Sequence, residues 1–119
     1  MKRLLLLLSF LTPPAASAQR RYWDVSVDSL ATGRVAHTHV AVRGRVTLVR
    51  REQDGDLHIK LVGRTGFIVA ECIPALPCRV PKVGERVTVR GIVRWDAEHH
   101  WVEVHPVEWM SFPVGAELP

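Results

Sequence analysis

Apolar and polar residues alternate along most of the chain beyond residue 39, and this period of two is typical of half-buried β-strands. Residues 40–49 form the first alternating segment and residues 86–95 the fourth. Each segment has a glycine near its middle, Gly44 or Gly91, and a glycine inside a strand allows a bulge or a sharp bend. The pattern therefore predicts two long strands that each bend near their centre.

Three further segments complete the set of predicted strands. Residues 57–61 alternate after an Asp54-Gly55 turn, which predicts a second strand with one buried face. Phe67–Cys72 is almost continuously apolar, so we expect a third strand that is buried on both faces. Residues 101–109 alternate again and form the fifth predicted strand.

Five short strands, two of them with central glycines, are typical of a small closed barrel. The phrases V-x-V-R-G-x-V, from Val40, and V-G-E-R-V-T-V-R-G-I-V, from Val83, resemble the first and fourth strands of an oligonucleotide/oligosaccharide-binding (OB) fold. The resemblance implies an all-β, five-stranded OB-fold-like barrel over residues 40–110, in which strand five closes near strand one. Residues 19–39 are then a short N-terminal extension that contributes a helix or strand to plug the barrel, and residues 111–119 are a C-terminal tail.

The start of the chain has the composition of a secretory signal peptide. Two basic residues precede an apolar stretch over residues 4–11, and an A-x-A cleavage site ends at Ala18. The stretch is shorter than the about 20 residues that span a bilayer. We therefore expect removal of residues 1–18, a mature chain that begins at Gln19, export to the periplasm or extracellular space, and no membrane span after cleavage.

The formal net charge of +4 overstates how basic the mature protein is. Loss of the signal removes two basic residues and leaves 14 against 12 acidic ones, a charge of +2. The remaining arginines nevertheless cluster in strands one and four, at Arg43, Arg45, Arg86, Arg90 and Arg94. The even spacing in strand four places its three arginines on one face, and such a stripe binds phosphates or acidic sugars. The alternative is a solvated face whose charge is balanced by nearby acids.

Cys72 and Cys78 are the only cysteines of the chain. In an exported protein, which enters an oxidising space, we expect an even pair to form a disulfide. Their separation and the lack of a second pair argue against a redox or zinc motif.

Carboxylates and imidazoles concentrate in two turns and in strands two, three and five. Glu103 and His105 share one parity, and so do Asp56 and His58, so each pair leaves its strand on one side. We therefore expect both histidines to lie near each other, with a carboxylate of Asp56, Glu71 or Glu103 hydrogen-bonded to at least one of them. The whole predicted polar cluster is Asp54, Asp56, His58, Glu71, Asp96, His99, Glu103 and His105.

Two interpretations of the cluster stay open. In the first, the turn aspartates cap backbone amides and the histidines are held by neighbouring acids. In the second, Asp56, His58, Glu103 and His105 bind a divalent metal, for which zinc, manganese or iron would be suitable, and the metal activates water for hydrolysis. No cofactor is expected otherwise, because no phosphate loop or dinucleotide fingerprint is present.

Four sequence blocks occur in a fixed order. They are D-G-D-x-H-x-x-L at residues 54–61, I-V-x-E-x-x-P at 68–74, D-x-x-H at 96–99 and W-x-E-x-H-P-V at 101–107. In this combination the chain resembles a family of small, mostly uncharacterised exported bacterial proteins with a barrel of this type. The resemblance implies export and the barrel but no established reaction. Secreted nucleases of the staphylococcal type also use this barrel, but their arginine and carboxylate motif is not recognisable here.

The sequence favours a binding function over catalysis. Tryptophans near the arginines can stack on bases or sugar rings. The predicted ligand-binding residues are Arg43, Arg45, Arg86, Arg90, Arg94, Trp95 and Trp101. The leading hypothesis is an exported, non-catalytic module that binds single-stranded nucleic acid or an oligosaccharide. A metal-dependent hydrolase or nuclease-like enzyme that uses the polar cluster is one alternative, and a structural envelope interaction module is another.

Overall fold

A computed structural model of the chain describes residues 21–113, which form six β-strands and one short helix. In chain order the elements are β1 (Trp23–Ser26), α1 (Val27–Ala31), β2 (His39–Arg51), β3 (Leu57–Val62), β4 (Phe67–Cys72), β5 (Arg86–Asp96) and β6 (Trp101–Ser111). The predicted strands one to five are therefore β2 to β6. The predicted signal peptide and the last six residues of the tail lie outside the described residues.

The five strands β2 to β6 close into a barrel. Their order in the sheet is β2-β3-β4-β6-β5, and β2 also pairs with β5 in antiparallel register from His39↔Ile92 to Arg45↔Arg86. The predicted all-β, five-stranded OB-fold-like architecture is confirmed. The expectation that strand five closes near strand one is wrong, because β5 closes the barrel on β2 while β6 lies between β4 and β5.

The barrel interior is filled by the apolar positions of the alternating pattern. Val40, Val42 and Val46 on β2 are fully buried, whereas Arg43 and Arg45 between them are exposed. Burial of such aliphatic side chains is the main stabilising contribution to a fold of this kind. The two-residue period in the sequence therefore separates the core from the outer surface.

The central glycines of β2 and β5 lie where the backbone approaches other elements most closely. A Cβ atom on Gly91 would collide with the carbonyl oxygen of Pro106, and the β5–β6 register shifts on both sides of this glycine. A Cβ on Gly44 would lie 2.9 Å from Cγ2 of Val27. Only glycine leaves room for these contacts near the middle of each strand.

The N-terminal extension contributes both a strand and a helix. β1 pairs in parallel with β2, and Val27 and Leu30 of α1 are buried in the barrel core. The carboxylate of Asp28 accepts hydrogen bonds from the backbone N–H groups of the β3–β4 turn, at 3.1 Å from Arg64, 3.0 Å from Thr65 and 2.9 Å from Gly66. The extension therefore packs into the core as a short plug.

The predicted disulfide between Cys72 and Cys78 is present, with their Cα atoms 6.1 Å apart. It ties the end of β4 to the connection that leads to β5, and Cys72 is part of the core. Across residues 21–113, no helix has the length and apolar character needed to cross a membrane.

Candidate functional site

The predicted site residues divide between two flanks of the barrel. In the closed strand order, β4 is separated from β2 by β3 and from β5 by β6. The flank centred on β4 therefore lies opposite the pairing of β2 with β5. Basic residues gather on the β2–β5 flank, and acids and imidazoles gather on the β4 flank.

The first surface, which we call the arginine seam, consists of Arg43, Arg45, Arg86 and Arg90 on the outer faces of β2 and β5. Three of the four are exposed, and Arg90 is half-buried. Arg45 and Arg86 occupy directly opposite positions of the two antiparallel strands. Thr88 lies opposite Arg43, so nothing acidic interrupts the seam at these paired positions.

Within the described part of the chain, Arg43, Arg45 and Arg86 have no acidic partner. Like charges directly opposite each other on neighbouring strands are destabilising. The Arg45 and Arg86 pair is therefore a local cost to the fold that a bound anion would relieve.

Aromatic rings lie beside the seam. The guanidinium carbon of Arg90 is 4.1 Å from the centre of the Trp109 ring and 5.8 Å from that of Tyr22. The Trp109 side chain remains 43% exposed. The partly exposed Trp109 ring, with the cation of Arg90 over it, therefore lies at the edge of the seam. Single-stranded nucleic acid binds to surfaces that combine aromatic rings and cations, through base stacking and phosphate contacts.

Arg94, which the sequence groups with the other strand-four arginines, is part of the opposite flank. It lies beyond the Gly91 bend, where β5 pairs with the start of β6, and it donates two hydrogen bonds to Oε1 of Glu103, at 3.2 and 2.8 Å. The predicted stripe on β5 therefore ends at Arg90. The bend and the buried acid of β6 explain this separation.

The two tryptophans predicted to bind ligand have different surroundings. The indole N–H of Trp101 donates to Oε2 of Glu103 at 2.8 Å, and the His99 ring stacks on the indole with centres 4.5 Å apart. Trp101 therefore supports the polar cluster and is not an open stacking platform. Trp95 is 56% exposed, and among the rings of residues 21–113 it contacts only His100, in a T-shaped arrangement.

The second surface is an open groove of about 410 Å³ that we call the His-carboxylate pocket. Its lining residues are Glu52, Asp54, Asp56, His58, Glu71, Arg94, Asp96, His99 and His105. They come from the β2–β3 turn, from β3, β4, β5 and β6, and from the β5–β6 turn. The pocket thus brings together seven of the eight residues of the predicted polar cluster, and Glu103 lies beneath it through its bond to Arg94.

One oxygen atom of Glu71 is the centre of the pocket. His58 lies directly opposite Glu71 in the β3–β4 register, and its Nε2 is 3.3 Å from Glu71 Oε1. Nε2 of His105 is 3.4 Å from the same oxygen and 3.7 Å from Oδ2 of Asp56. The two histidines therefore share one carboxylate, although their strands, β3 and β6, do not pair.

Glu71 and Glu103 are carboxyl groups with almost no exposed surface, 4% and 0% respectively. Burial raises the pKa of Glu71 to about 9, with further contributions from a hydrogen bond to the Glu103 carboxyl group and from its negative charge. Arg94 and Trp101 use both oxygens of Glu103. Glu71 therefore carries a proton at neutral pH in the chain without a bound cation.

The aspartates of the two turns stabilise the backbone, as the first interpretation of the cluster expects. Oδ1 of Asp54 accepts the N–H of Asp56 at 3.0 Å, and Oδ1 of Asp96 accepts the N–H groups of Glu98 and His99 at 2.9 and 3.1 Å. The His99 ring, 2.8 Å from Oδ2 of Asp96, holds the pKa of that carboxyl well below its usual range and has its own pKa raised in return.

The metal-ligand set predicted from the sequence is only partly reproduced. Donor atoms of Asp56, Glu71 and His105 lie within 4.8 Å of one another, and His58 is not part of this group. Glu103 forms a separate group with Glu71 and Asp96, and its two oxygens accept hydrogen bonds from Arg94 and Trp101. The alternation of residues along one strand does not show that Glu71, rather than Glu103, lies beside Asp56 and His105. Glu52, whose Oε2 is 3.8 Å from Nδ1 of His58, was also missed, and its position two residues before Asp54 was the available signal.

The comparisons with known proteins define the fold alone. No family model and no curated protein matches the chain. Among solved structures, asparaginyl-tRNA synthetase from Pyrococcus horikoshii aligns at a TM-score of 0.61 and 19% identity over 74% of this chain and 22% of that one. A putative aspartyl-tRNA synthetase from Leishmania major Friedlin gives 0.59 and 15% over 94% of this chain and 26% of that one.

The S. pombe Stn1-Ten1 complex is similar over 86% of each chain, at a TM-score of 0.58 and 14% identity. This chain thus spans about a quarter of the synthetase chains but most of the chain it matches in that complex.

In OB folds, ligands bind on the face of barrel strands two and three and the adjoining loops. Here β3, β4 and the flanking turns form that face, and the His-carboxylate pocket occupies it.

The proton on Glu71 gives a testable pH dependence. An unfolded Glu71 titrates near 4.5 and the folded one near 9, so between these values the folded protein holds a proton that the unfolded chain has lost. The contribution of Glu71 to the free energy of unfolding is complete below the unfolded pKa of 4.5. It is lost as pH rises through the folded pKa of about 9. In Glu71→Gln, the fall in the free energy of unfolding from about pH 5 to pH 9 should be shallower than in the original chain.

Urea titrations in the presence of a chelator, repeated across the pH range, measure how the free energy of unfolding changes with pH. Asp24→Asn, which removes an exposed carboxyl group on β1, is the control and should leave the slope unchanged. An unchanged or steeper slope in Glu71→Gln would contradict the assignment of the proton to Glu71.

Proposed function

We propose that the protein is a binding module for single-stranded nucleic acid and that the arginine seam is its phosphate-binding surface. Binding on this surface does not involve the His-carboxylate pocket, which lies on the opposite flank. The proposal assigns the protein no chemical step.

The cross-strand pair of Arg45 and Arg86 carries the proposal. Both side chains are exposed and lack an acidic partner among residues 21–113, and their Cα positions are paired directly across the two strands. A chain of phosphates neutralises such a pair and releases counterions at the same time. Arg43 extends the row of cations along β2, and Arg90 with Trp109 adds a stacking position at the β5–β6 edge.

The similar solved structures support this choice of ligand class. Two of them are tRNA synthetases, which by name act on an RNA. The seam itself suits a polyanion more than a neutral sugar, because Arg43, Arg45 and Arg86 have no acidic partner among the described residues. An acidic oligosaccharide presents similar anionic chemistry and is therefore included as an outcome of the test.

Neutralising the cross-strand pair should weaken binding to single-stranded DNA. We expect the double variant Arg45→Gln/Arg86→Gln to lose roughly tenfold in affinity at low salt. The slope of log affinity against log salt should also become shallower by about 1.4, since each lost phosphate contact on a single strand removes about 0.7. Fluorescence anisotropy with a labelled thymidine oligonucleotide of roughly 12 residues, a length within the site sizes of OB folds, measures both quantities.

Arg34→Gln/Arg64→Gln removes two exposed arginines outside the seam and is the matched control. It should keep most of the affinity, although it has the same net charge as the seam variant. Equal losses in the two variants, or no binding to DNA or RNA, would overturn the proposal. Binding of an acidic oligosaccharide instead of the oligonucleotide would replace the ligand. Cleavage of the oligonucleotide in the presence of Zn²⁺ or Mn²⁺ would favour the metal-dependent nuclease.

We also propose that the protein is exported and that it belongs with the exported barrels whose four sequence blocks it resembles. The signal-like start of the chain supports export, and the disulfide between Cys72 and Cys78 is compatible with an oxidising compartment.

Expression of the full chain in a bacterium, followed by N-terminal sequencing of the protein from each compartment, tests the export proposal. The periplasmic or medium fraction should contain a chain that begins at Gln19. A protein that keeps residues 1–18 and stays in the cytoplasm would contradict it.

A further inference from the structure

Beyond the proposed function, we infer that the His-carboxylate pocket is a binding site for a divalent transition-metal ion of the zinc class. Asp56, Glu71 and His105 are the protein ligands, and His58 is the second imidazole that the ion can recruit. The inference concerns a surface that the proposed nucleic-acid seam does not use, so either one stands if the other fails.

The separations between the donor atoms carry the inference. A tetrahedral zinc site with bonds of about 2.0–2.1 Å places neighbouring ligand atoms about 3.3–3.4 Å apart. The two imidazole nitrogens are 3.3 and 3.4 Å from Oε1 of Glu71, and Nε2 of His105 is 3.7 Å from Oδ2 of Asp56. The two contacts to Glu71 fall at this spacing and the Asp56 contact is longer, and the donor atoms of Asp56, Glu71 and His105 all lie within 4.8 Å of one another.

The same distances fit a network of ordinary hydrogen bonds less well. An N–H···O bond usually has a donor-acceptor distance of 2.7–3.2 Å, and every one of the three contacts is longer. In the neighbouring turn, by contrast, His99 and Asp96 approach to 2.8 Å. The two contacts to Glu71 are thus long for direct hydrogen bonds and match the separation between ligands of one ion.

The charges around the pocket also favour a cation. Arg94 is the only lysine or arginine among its lining residues, and that side chain is hydrogen-bonded to Glu103. Among the described residues, Asp56 and Glu71 therefore have histidines and no lysine or arginine as ion-pair partners. Carboxylate and imidazole ligands together suit zinc, manganese and iron, and Glu71 is held in place by its burial in β4.

A rival group of donors lies nearby and must be separated by the test. Asp96, Glu98 and His99 also place donor atoms within 4.8 Å of one another, but they lie close in sequence at the end of β5 and in the β5–β6 turn, and Glu98 and His99 are exposed. Their geometry is explained by capping of the β5–β6 turn. We therefore assign the ion to the pocket and not to this turn.

Metal binding is tested on the tag-free mature protein after chelation and dialysis. Titration calorimetry with Zn²⁺ should give one ion per chain, and Co²⁺ should give the intense visible absorption of a tetrahedral complex. His105→Ala should weaken Zn²⁺ binding by at least about tenfold, since even residues that only orient a metal ligand contribute that much. His37→Ala, which removes an exposed imidazole outside the pocket, is the matched control and should keep the affinity of the original chain. His99→Ala separates the pocket from the rival turn and should weaken binding less than His105→Ala does.

His105→Gln and Asp56→Asn are second variants in case His105→Ala does not fold, and circular dichroism checks each protein. The inference is overturned if neither Zn²⁺ nor Co²⁺ binds to the folded original chain. It is also overturned if His99→Ala abolishes binding while the pocket variants retain it, because the ion then belongs to the β5–β6 turn. Unchanged affinity of the oligonucleotide in His105→Ala shows that the pocket and the seam act separately.

Discussion

The pairing of β2 with β5 closes the barrel, and the positions of both candidate surfaces depend on it. β2 pairs with β5 along its first half and with β3 along its second half, so one strand belongs to both sides of the closure. Such a path requires a sharp bend, which Gly44 and Gly91 permit by leaving room where a Cβ would meet neighbouring atoms. Closure therefore aligns Arg45 with Arg86 and moves β4, with Glu71, to the opposite flank.

The separation of charge follows from this closure and not from overall composition. Residues 21–113 contain 13 basic and 11 acidic residues, yet the unpaired arginines of the seam lie on one flank and the buried carboxyl groups of Glu71 and Glu103 on the other. Arg94 is the exception, and it neutralises Glu103 where the core of the acidic flank is tightest. A phosphate chain and a divalent ion can therefore bind the same barrel without competing for the same side chains.

The strands and the disulfide could be predicted from the sequence because they depend on local patterns, which are an alternation of period two, glycines within strands and an even cysteine pair. The contents of the pocket were predicted in part. The two-residue alternation along a strand shows that the side chains of Asp56 and His58 leave it on the same side. It does not show which strand lies beside β6. That neighbour is β4, and its register places Glu71 against His105 while Arg94 takes Glu103. Such contacts depend on tertiary register, which one sequence does not show.

The central claim is that the nucleic-acid surface lies on the β2–β5 flank and not on the face of β3 and β4 that OB folds commonly use. Amide chemical-shift mapping by two-dimensional NMR, during titration of the ¹⁵N-labelled protein with a thymidine oligonucleotide, tests it most directly. If the oligonucleotide binds to the arginine seam, the shifts concentrate at residues 41–45 and 86–90, with little change at His58, Glu71 and His105. Shifts centred on the His-carboxylate pocket, with the arginine seam unaffected, would contradict it.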